Sequence, residues 1–180
     1  PLPLTPRRAE LAAAVTLFHP VLFPSLPSVD PSGKAWTVTD TGGPVLINLF
    51  ASWCPDCAAE LTLWRDRAAE FKAAGISLAL LSADGRDTAH ATGPADAWKW
   101  LEKNRIPFPA GVLTEEAFRR LTAAHRQLFG AIVNLPIPTS FLLDGKGRLA
   151  AIYRGPVSME RILSDAATAV QDGEKARAAA

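Results

Sequence analysis

Two cysteines, Cys54 and Cys57, are the residues of this sequence best suited to covalent chemistry. With two cysteines in 180 residues, the chain is not expected to be a disulfide-stapled scaffold. The apolar run Val45–Phe50 precedes them, and Pro55 suits the first position of a helix, where an N–H group is not needed. The free N–H groups and the positive dipole end of a helix stabilise an anion at this place. Cys54 therefore has the position of an attacking thiolate.

The spacing of the two cysteines predicts dithiol–disulfide exchange. The thiol of a C-x-x-C site at a helix start titrates at about 3.5–7.5, against about 8.5 for a free cysteine. Cys57, one helical turn on, can attack a mixed disulfide that Cys54 has formed with another molecule. Two alternatives are an inert buried pair and half of a metal site. Zinc needs about four ligands, and His19, His90 and His125 show no paired ligand spacing. We assign neither a metal site nor an organic cofactor.

Asp56 places a negative charge within one helical turn of both sulfurs. Like charges disfavour each other's ionisation, so Asp56 is expected to raise the pKa of the Cys54 thiol relative to a site with a neutral residue there. A less stabilised thiolate makes the couple less oxidising. We therefore predict a protein that leans toward the reductant role, and a potential near the ~−120 mV of a strong oxidant would contradict this.

The residues around the cysteines resemble a known family. The segment Asn48–Glu60, which reads Asn-Leu-Phe-Ala-Ser-Trp-Cys-Pro-Asp-Cys-Ala-Ala-Glu, is similar to the active site of thioredoxin-like proteins of the TlpA/ResA-like branch. Further along, Ile137-Pro138-Thr139 is similar to the cis-proline loop that the family places beside its cysteines. The resemblance spans residues 30–172 approximately. It implies an α/β, thioredoxin-like fold with a mixed β-sheet and helices on both faces, and thiol–disulfide exchange outside the cytoplasm.

Glu60 is expected to assist the second cysteine. It lies three residues after Cys57, on the same helical face and one turn up. Thioredoxins proper usually keep a buried aspartate six residues before the first cysteine, and Asn48 occupies that position here, which leaves Glu60 as the carboxylate near the sulfurs. It would take the Cys57 proton as that thiol attacks. The alternative is a solvated helix residue, which most glutamates are.

The resemblance also implies a substrate-binding surface. A cis bond occurs before only about 5–6% of prolines in folded proteins, but the family likeness implies one before Pro138. Such a bond would hold the Ile137 backbone beside the cysteines, ready to pair with an extended segment of the substrate. Trp53 would form a rim of this contact surface, and Pro55 and Asp56 would complete it.

The remaining sequence predicts the elements that position these residues. Two continuous apolar strands, 45–50 and 76–81, are joined by a helix over about 55–74, which makes a right-handed βαβ unit with parallel strands. Further helices are predicted at 94–103, at 115–129 after a Thr114 cap, and from Ser158 to Gly173, and strands 140–143 and 149–153 form a hairpin. A short strand is predicted at 35–39.

At 180 residues the chain fits one domain with extensions. We expect an N-terminal extension over 1–30, with a short helix from Arg7 to His19 and a proline-rich segment after it. The thioredoxin-like domain would cover 31–172, and residues 173–180 would form a flexible tail.

Composition limits the partners. A net charge of +1 gives no electrostatic case for nucleic acid, and no apolar run approaches the ~20 residues of a membrane span. The chain starts at Pro1, so we expect a mature form or a fragment, with any signal or anchor outside it. We therefore expect a monomer in the periplasm, or otherwise outside the cytoplasm, that acts on protein thiols and disulfides.

Three other functions fit parts of the sequence. A copper-binding or copper-delivery protein could use the two thiols, because soft thiolates suit Cu(I). A peroxide-reducing relative on the same fold is disfavoured, because Ala51 stands three residues before Cys54, where such proteins usually have threonine. A non-catalytic module of a larger chain would keep its cysteines permanently bridged.

Overall fold

The computed structural model of the protein describes residues 13–38, 42–86, 89–130 and 135–178. These ranges form one mixed sheet of eight strands, flanked by five helices. The strands are β1 (Ala13–Leu22), β2 (Ser28–Val29), β3 (Ala35–Trp36), β4 (Val45–Phe50), β5 (Ser77–Ser82), β6 (Ala110–Leu113), β7 (Thr139–Leu143) and β8 (Arg148–Arg154). The helices are α1 (Pro55–Asp66), α2 (Ala68–Ala73), α3 (Pro94–Lys103), α4 (Glu115–Phe129) and α5 (Met159–Ala178).

The buried strand β4 lies inside the sheet, whose spatial order is β1-β8-β7-β4-β5-β6-β2-β3. It pairs parallel with β5 and antiparallel with β7. Because side chains alternate along a strand, Leu46 and Phe50 enter one hydrophobic cluster while Ile47 and Leu49 enter another on the opposite face. Coverage on both faces explains why this segment is a continuous apolar run.

The helices cover both faces of the sheet, as predicted. The first cluster takes buried side chains from α1, α3 and α5, among them Leu61, Leu101 and Ile162. The second takes Ala117 and Leu121 from α4. The polar residues of the site lie on the first face, because α1 packs there.

The predicted helix over 55–74 is interrupted at Arg67, where φ is −112° and ψ is 20°. The interruption separates α1 from α2. The Arg67 guanidinium binds Glu70 on α2 and Glu160 on α5, each at 2.7 Å. These ion pairs connect α2 to α5. Gly75 has φ +68°, a conformation that favours glycine, and it ends this region as predicted.

Helices α3 and α4 have the predicted bounds. Thr114 caps α4, since its Oγ1 accepts a hydrogen bond from Ala117 N at 3.2 Å. The hairpin β7–β8 is also present, and its turn is organised by the Asp144 carboxylate, which accepts hydrogen bonds from the backbone N–H groups of Lys146 and Arg148. Strand β6 was not among the predicted elements, and the predicted strand at 35–39 is limited to Ala35–Trp36 in the described residues.

The N-terminal region differs from the prediction. Residues 13–19 were expected to be helical, but they belong to β1, which pairs antiparallel with β8. The alanine-rich local sequence favours a helix, whereas the ladder offered by β8 is a tertiary contact that local propensity does not register. Pro20 is tolerated because β1 lies at the edge of the sheet. Residues 7–12 of the predicted helix lie outside the described residues.

The C-terminal helix is longer than predicted. Gly173 was expected to end it, with a flexible tail after that, but α5 continues to Ala178. Residues 179–180 of the predicted tail lie outside the described residues. None of the helices in the described ranges has both the length and the hydropathy to cross a membrane.

Candidate active site

Cys54 and Cys57 form a disulfide at the start of α1, with their Cα atoms 5.3 Å apart. Cys54 is the N-cap residue of the helix, and its Sγ accepts a hydrogen bond from Cys57 N at 3.1 Å. A backbone N–H directed at this sulfur stabilises a thiolate there when the bond is reduced. Cys54 retains 4% exposure whereas Cys57 has none. The helix start therefore favours Cys54 as the sulfur that meets a partner.

The loop before β7 lies against the disulfide. The Ile137–Pro138 peptide bond is cis, and Cys54 Sγ lies 3.6 Å from the Ile137 carbonyl oxygen. The next residue, Thr139, is paired with Leu49 on β4. Because β4 leads into the cysteines, this pairing brings Ile137 and Pro138 to Cys54.

Glu60 is fully buried on α1, one turn after Cys57. Its Oε1 accepts a hydrogen bond from Val157 N at 2.8 Å, and its Oε2 accepts one from Asn48 Nδ2 at 3.0 Å. Burial raises the pKa of Glu60 to about 8; the two hydrogen bonds oppose the rise and the charge of Asp56 adds to it. A carboxyl group that titrates near neutral pH can both accept and release a proton under working conditions.

A buried polar network supports Glu60 from the sheet. Asn48 Nδ2 also donates to Ser140 Oγ on β7 at 2.9 Å, and both residues are fully buried. Asn48 therefore links β4, β7 and α1. The family resemblance singled out Asn48 by its position six residues before Cys54. Sequence reasoning assigned no role to Ser140, which directly follows the Ile-Pro-Thr segment.

The other predicted contact residues lie around Cys54. Trp53 is half-buried, and its ring stacks on that of His90 with centroids 3.7 Å apart and planes 1° from parallel. Pro55 is exposed and Asp56 is half-buried. His90 is exposed. His125 lies elsewhere, buried on α4 with its ring 4.7 Å from that of Phe129.

Asp84 is a buried carboxylate that sequence reasoning missed. It follows β5 and is fully buried. Its Oδ2 accepts hydrogen bonds from Ser52 N at 2.9 Å and Ser82 Oγ at 2.6 Å, and its Oδ1 accepts one from Ser52 Oγ at 2.5 Å. Ser52 lies two residues before Cys54. An acidic residue two positions after an apolar strand, at the end of the sheet that carries the cysteines, was a signal that could have found it.

The described residues contain no group of three or more His, Cys, Asp or Glu side chains arranged to hold a metal ion. An apolar pocket of about 250 Å³ lies beside Val45 and Ile47, at the end of β4 remote from the cysteines. The disulfide is therefore separate from that pocket.

The chain is similar to curated thiol–disulfide oxidoreductases. The chain is 22% identical over 147 residues to the thiol-disulfide oxidoreductase ResA of Bacillus subtilis, which covers 81% of this chain and 72% of that protein. It is 29% identical over 117 residues to the thiol:disulfide interchange protein DsbE of Haemophilus influenzae, covering 65% of this chain and 54% of that protein. The chain thus spans about half the length of some curated relatives that it matches, including ResA of Oceanobacillus iheyensis at 54%.

Solved structures confirm the thioredoxin-like fold. A thiol:disulfide interchange protein of the thioredoxin family from Chlorobium tepidum superposes with a TM-score of 0.64 at 22% identity, covering 84% of this chain and 97% of that one. StoA from Bacillus subtilis superposes with a TM-score of 0.55 at 18% identity, covering 81% and 98%. The sequence matches the AhpC/TSA family over residues 22–152. Since that match covers most of the chain, the protein belongs to the AhpC/TSA family.

Proposed function

We propose that the protein is a thiol–disulfide oxidoreductase that exchanges disulfides with partner proteins through Cys54 and Cys57. The observation that supports this most is the position of Cys54 Sγ, which caps α1 and lies 3.6 Å from the Ile137 carbonyl oxygen. A sulfur that a helix start stabilises, and that lies beside the Ile137 carbonyl, can react with a disulfide in a chain docked along the segment before β7.

In the reductive direction, the Cys54 thiolate attacks one sulfur of a partner disulfide. The other partner sulfur leaves as a thiolate, and a mixed disulfide joins the partner to Cys54. Cys57 then loses its proton and attacks Cys54 Sγ, which releases the second partner sulfur. Two electrons have passed to the partner, and Cys54 and Cys57 are joined as in this structure.

Glu60 is proposed to accept the proton of Cys57 during the second step. Both residues are buried on α1, so water has little access to the Cys57 thiol. With a pKa of about 8, Glu60 is mainly protonated at neutral pH, and its ionised fraction increases steeply just above that. In the reverse direction the protonated Glu60 returns a proton to Cys57 as the disulfide opens.

The direction of exchange is proposed to favour reduction of the partner. Asp56 lies between the cysteines and is half-buried, so its charge disfavours a thiolate at Cys54. We further propose, from the TlpA/ResA-like resemblance, that the protein acts as a monomer outside the cytoplasm on protein thiols and disulfides. The rim for such partners would consist of Trp53, Pro55 and Asp56.

Replacement of Cys57 tests the proposal. A Cys57→Ser variant is expected to stop after the first step, because no thiol remains to release the mixed disulfide, and partner proteins then stay attached to Cys54. Non-reducing electrophoresis followed by mass spectrometry would identify them. A Cys54→Ser variant serves as the matched control, and it should trap nothing and reduce insulin at the background rate. Loss of trapping in the first variant, or trapping by the second, would contradict the proposed function.

Replacement of Glu60 tests the proton transfer. In Glu60→Gln, release of a small chromogenic thiol from its mixed disulfide with Cys54 is expected to slow by roughly 10²-fold at pH 8, since general-base assistance is lost. The rise in the wild-type rate between pH 7 and 9 should also be reduced. Stopped-flow absorbance measures both, with the exposed Glu102→Gln as control. Equal rates for the wild type and Glu60→Gln at every pH would remove this role.

A further inference from the structure

We propose that Asp84 is a positioning residue for the exchange reaction, because its buried carboxylate fixes the loop that carries Cys54 and its negative charge disfavours the Cys54 thiolate. This inference rests on the proposed function, since it concerns the same pair of sulfurs. Asp84 would be a second residue, in addition to Asp56, whose negative charge makes the Cys54–Cys57 couple less oxidising.

The hydrogen bonds of Asp84 fix the loop in place. Ser52 donates both its backbone N–H and its hydroxyl group to the carboxylate, at 2.9 and 2.5 Å. Ser82, the last residue of β5, donates its hydroxyl to Asp84 Oδ2 at 2.6 Å and accepts a hydrogen bond from Asp84 N at 3.0 Å. The loop between β4 and α1 is thereby attached to the end of β5. Cys54 follows Ser52 by two residues.

The charge of Asp84 has no neutralising partner in the described part of the chain. Three donors face its oxygens, and a carboxylate accepts all three without a proton of its own. No lysine or arginine of the described residues forms an ion pair with it. A buried charge acts on its neighbours through a medium of lower effective dielectric than water. The thiolate of Cys54 would form within reach of this field.

The other two carboxyl groups near the cysteines differ from Asp84 in this respect. Glu60 has a pKa of about 8 and is therefore mainly uncharged at neutral pH. Asp56 is half-buried, so solvent screens part of its charge. Asp84 combines full burial with a set of donors that suits the charged form.

The test is the redox equilibrium of an Asp84→Asn variant with glutathione. In this reaction the Cys54–Cys57 disulfide and two glutathione molecules give the dithiol and one glutathione disulfide. Asparagine can keep the hydrogen bonds when its amide oxygen takes the place of Oδ2 and its Nδ2 that of Oδ1, because the Ser52 hydroxyl can reverse its direction and accept from Nδ2. Without the charge, the equilibrium is expected to move at least threefold toward the dithiol, which is roughly 15 mV. The pKa of the Cys54 thiol, followed by its alkylation rate against pH, should fall in parallel.

A Ser82→Ala variant is the matched control, because it removes a hydrogen bond to Asp84 and keeps the charge. It is expected to leave the equilibrium unchanged. Should Asp84→Asn not fold, Asp84→Ser removes the charge with a smaller side chain, and the same shift is expected. An unchanged equilibrium in the neutral variant, or an equal shift in Ser82→Ala, would overturn the inference. These measurements use glutathione and no partner protein. A failure of Cys57→Ser to trap partner proteins would therefore contradict the proposed function without changing the outcome of the Asp84 test.

Discussion

In urea unfolding with the disulfide intact, the Glu60→Gln variant is expected to gain stability over the wild type as the pH rises from 4 to 9. The Glu60 carboxyl has a pKa of about 8 in the folded protein, against 4.5 as its ordinary value. Each unit of difference corresponds to about 1.36 kcal/mol. The free energy of unfolding of Glu60→Gln, relative to that of the wild type, should therefore increase by an amount on the order of 5 kcal/mol over this range.

The direction follows from proton binding. Below pH 4.5 Glu60 is protonated in both the folded and the unfolded chain, and its contribution to the unfolding free energy is fully present. Between pH 4.5 and about 8 the unfolded chain loses this proton while the folded chain keeps it, so the wild-type protein loses stability. Above that range both states are ionised and the contribution stays constant. Glutamine carries no proton to lose, and its amide can keep hydrogen bonds to Val157 and Asn48.

Glu70→Gln is the matched control for this experiment. Glu70 is an exposed glutamate whose pKa is lowered by its hydrogen bonds to Arg67. Loss of the Glu70 carboxylate should therefore make Glu70→Gln slightly less stable than the wild type above pH 4.5, whereas Glu60→Gln gains stability there. A constant difference between Glu60→Gln and the wild type from pH 4 to 9 would show that Glu60 titrates in its ordinary range, and the proposed proton transfer would lose its support.

Replacement of Trp64 by alanine is expected to lower the free energy of unfolding by about 3–5 kcal/mol, the usual cost of removing a large core aromatic side chain. Trp64 lies on α1 with the cysteines and is fully buried. Its ring meets Phe71 of α2 edge-on, with centroids 5.7 Å apart. The two helices are therefore packed together through this contact. Urea denaturation of the oxidised proteins measures the loss.

Two variants separate burial from side-chain chemistry. Trp64→Phe should cost much less than Trp64→Ala, because phenylalanine fills part of the space. It also removes an Nε1–H group that has no hydrogen-bond partner among the residues that the structure describes. Trp98→Ala changes a half-buried tryptophan on α3 and should also cost less. Equal losses in Trp64→Ala and Trp98→Ala would contradict the assigned packing.

The candidate site could be predicted from the sequence because its signals are local. An apolar strand, a proline at the first helical position and the spacing of Cys54 and Cys57 are read within a few residues. The N-terminus of α4 was predicted for the same reason, since Thr114 caps the helix with its own side chain. The approach of Ile137 to Cys54 depends on the pairing of β4 with β7, and only the family resemblance indicated it.

Features that depend on distant contacts were not predictable in this way. Strand β1 forms because β8 is available as a partner, and nothing in the alanine-rich segment itself indicates that partner. The interruption at Arg67 coincides with ion pairs to Glu70 and Glu160, and Glu160 lies far along the chain. Glu60 was expected to lie near the sulfurs, but the full burial that raises its pKa depends on tertiary packing, and the hydrogen bonds from Val157 and Asn48 oppose that rise.

The pairing of Leu49 with Thr139 also affects how a partner would associate. Since the backbone ladder sets the distance from Cys54 to the Ile137 carbonyl, the proposed docking groove between these two residues would exist before any partner arrives. The conformational entropy lost on association would then come almost entirely from the incoming chain. A disulfide within a rigid fold would have to unfold locally to lie along this groove, whereas one in an extended segment would not. Discrimination among disulfides would thus follow the local flexibility of the partner more than its side chains.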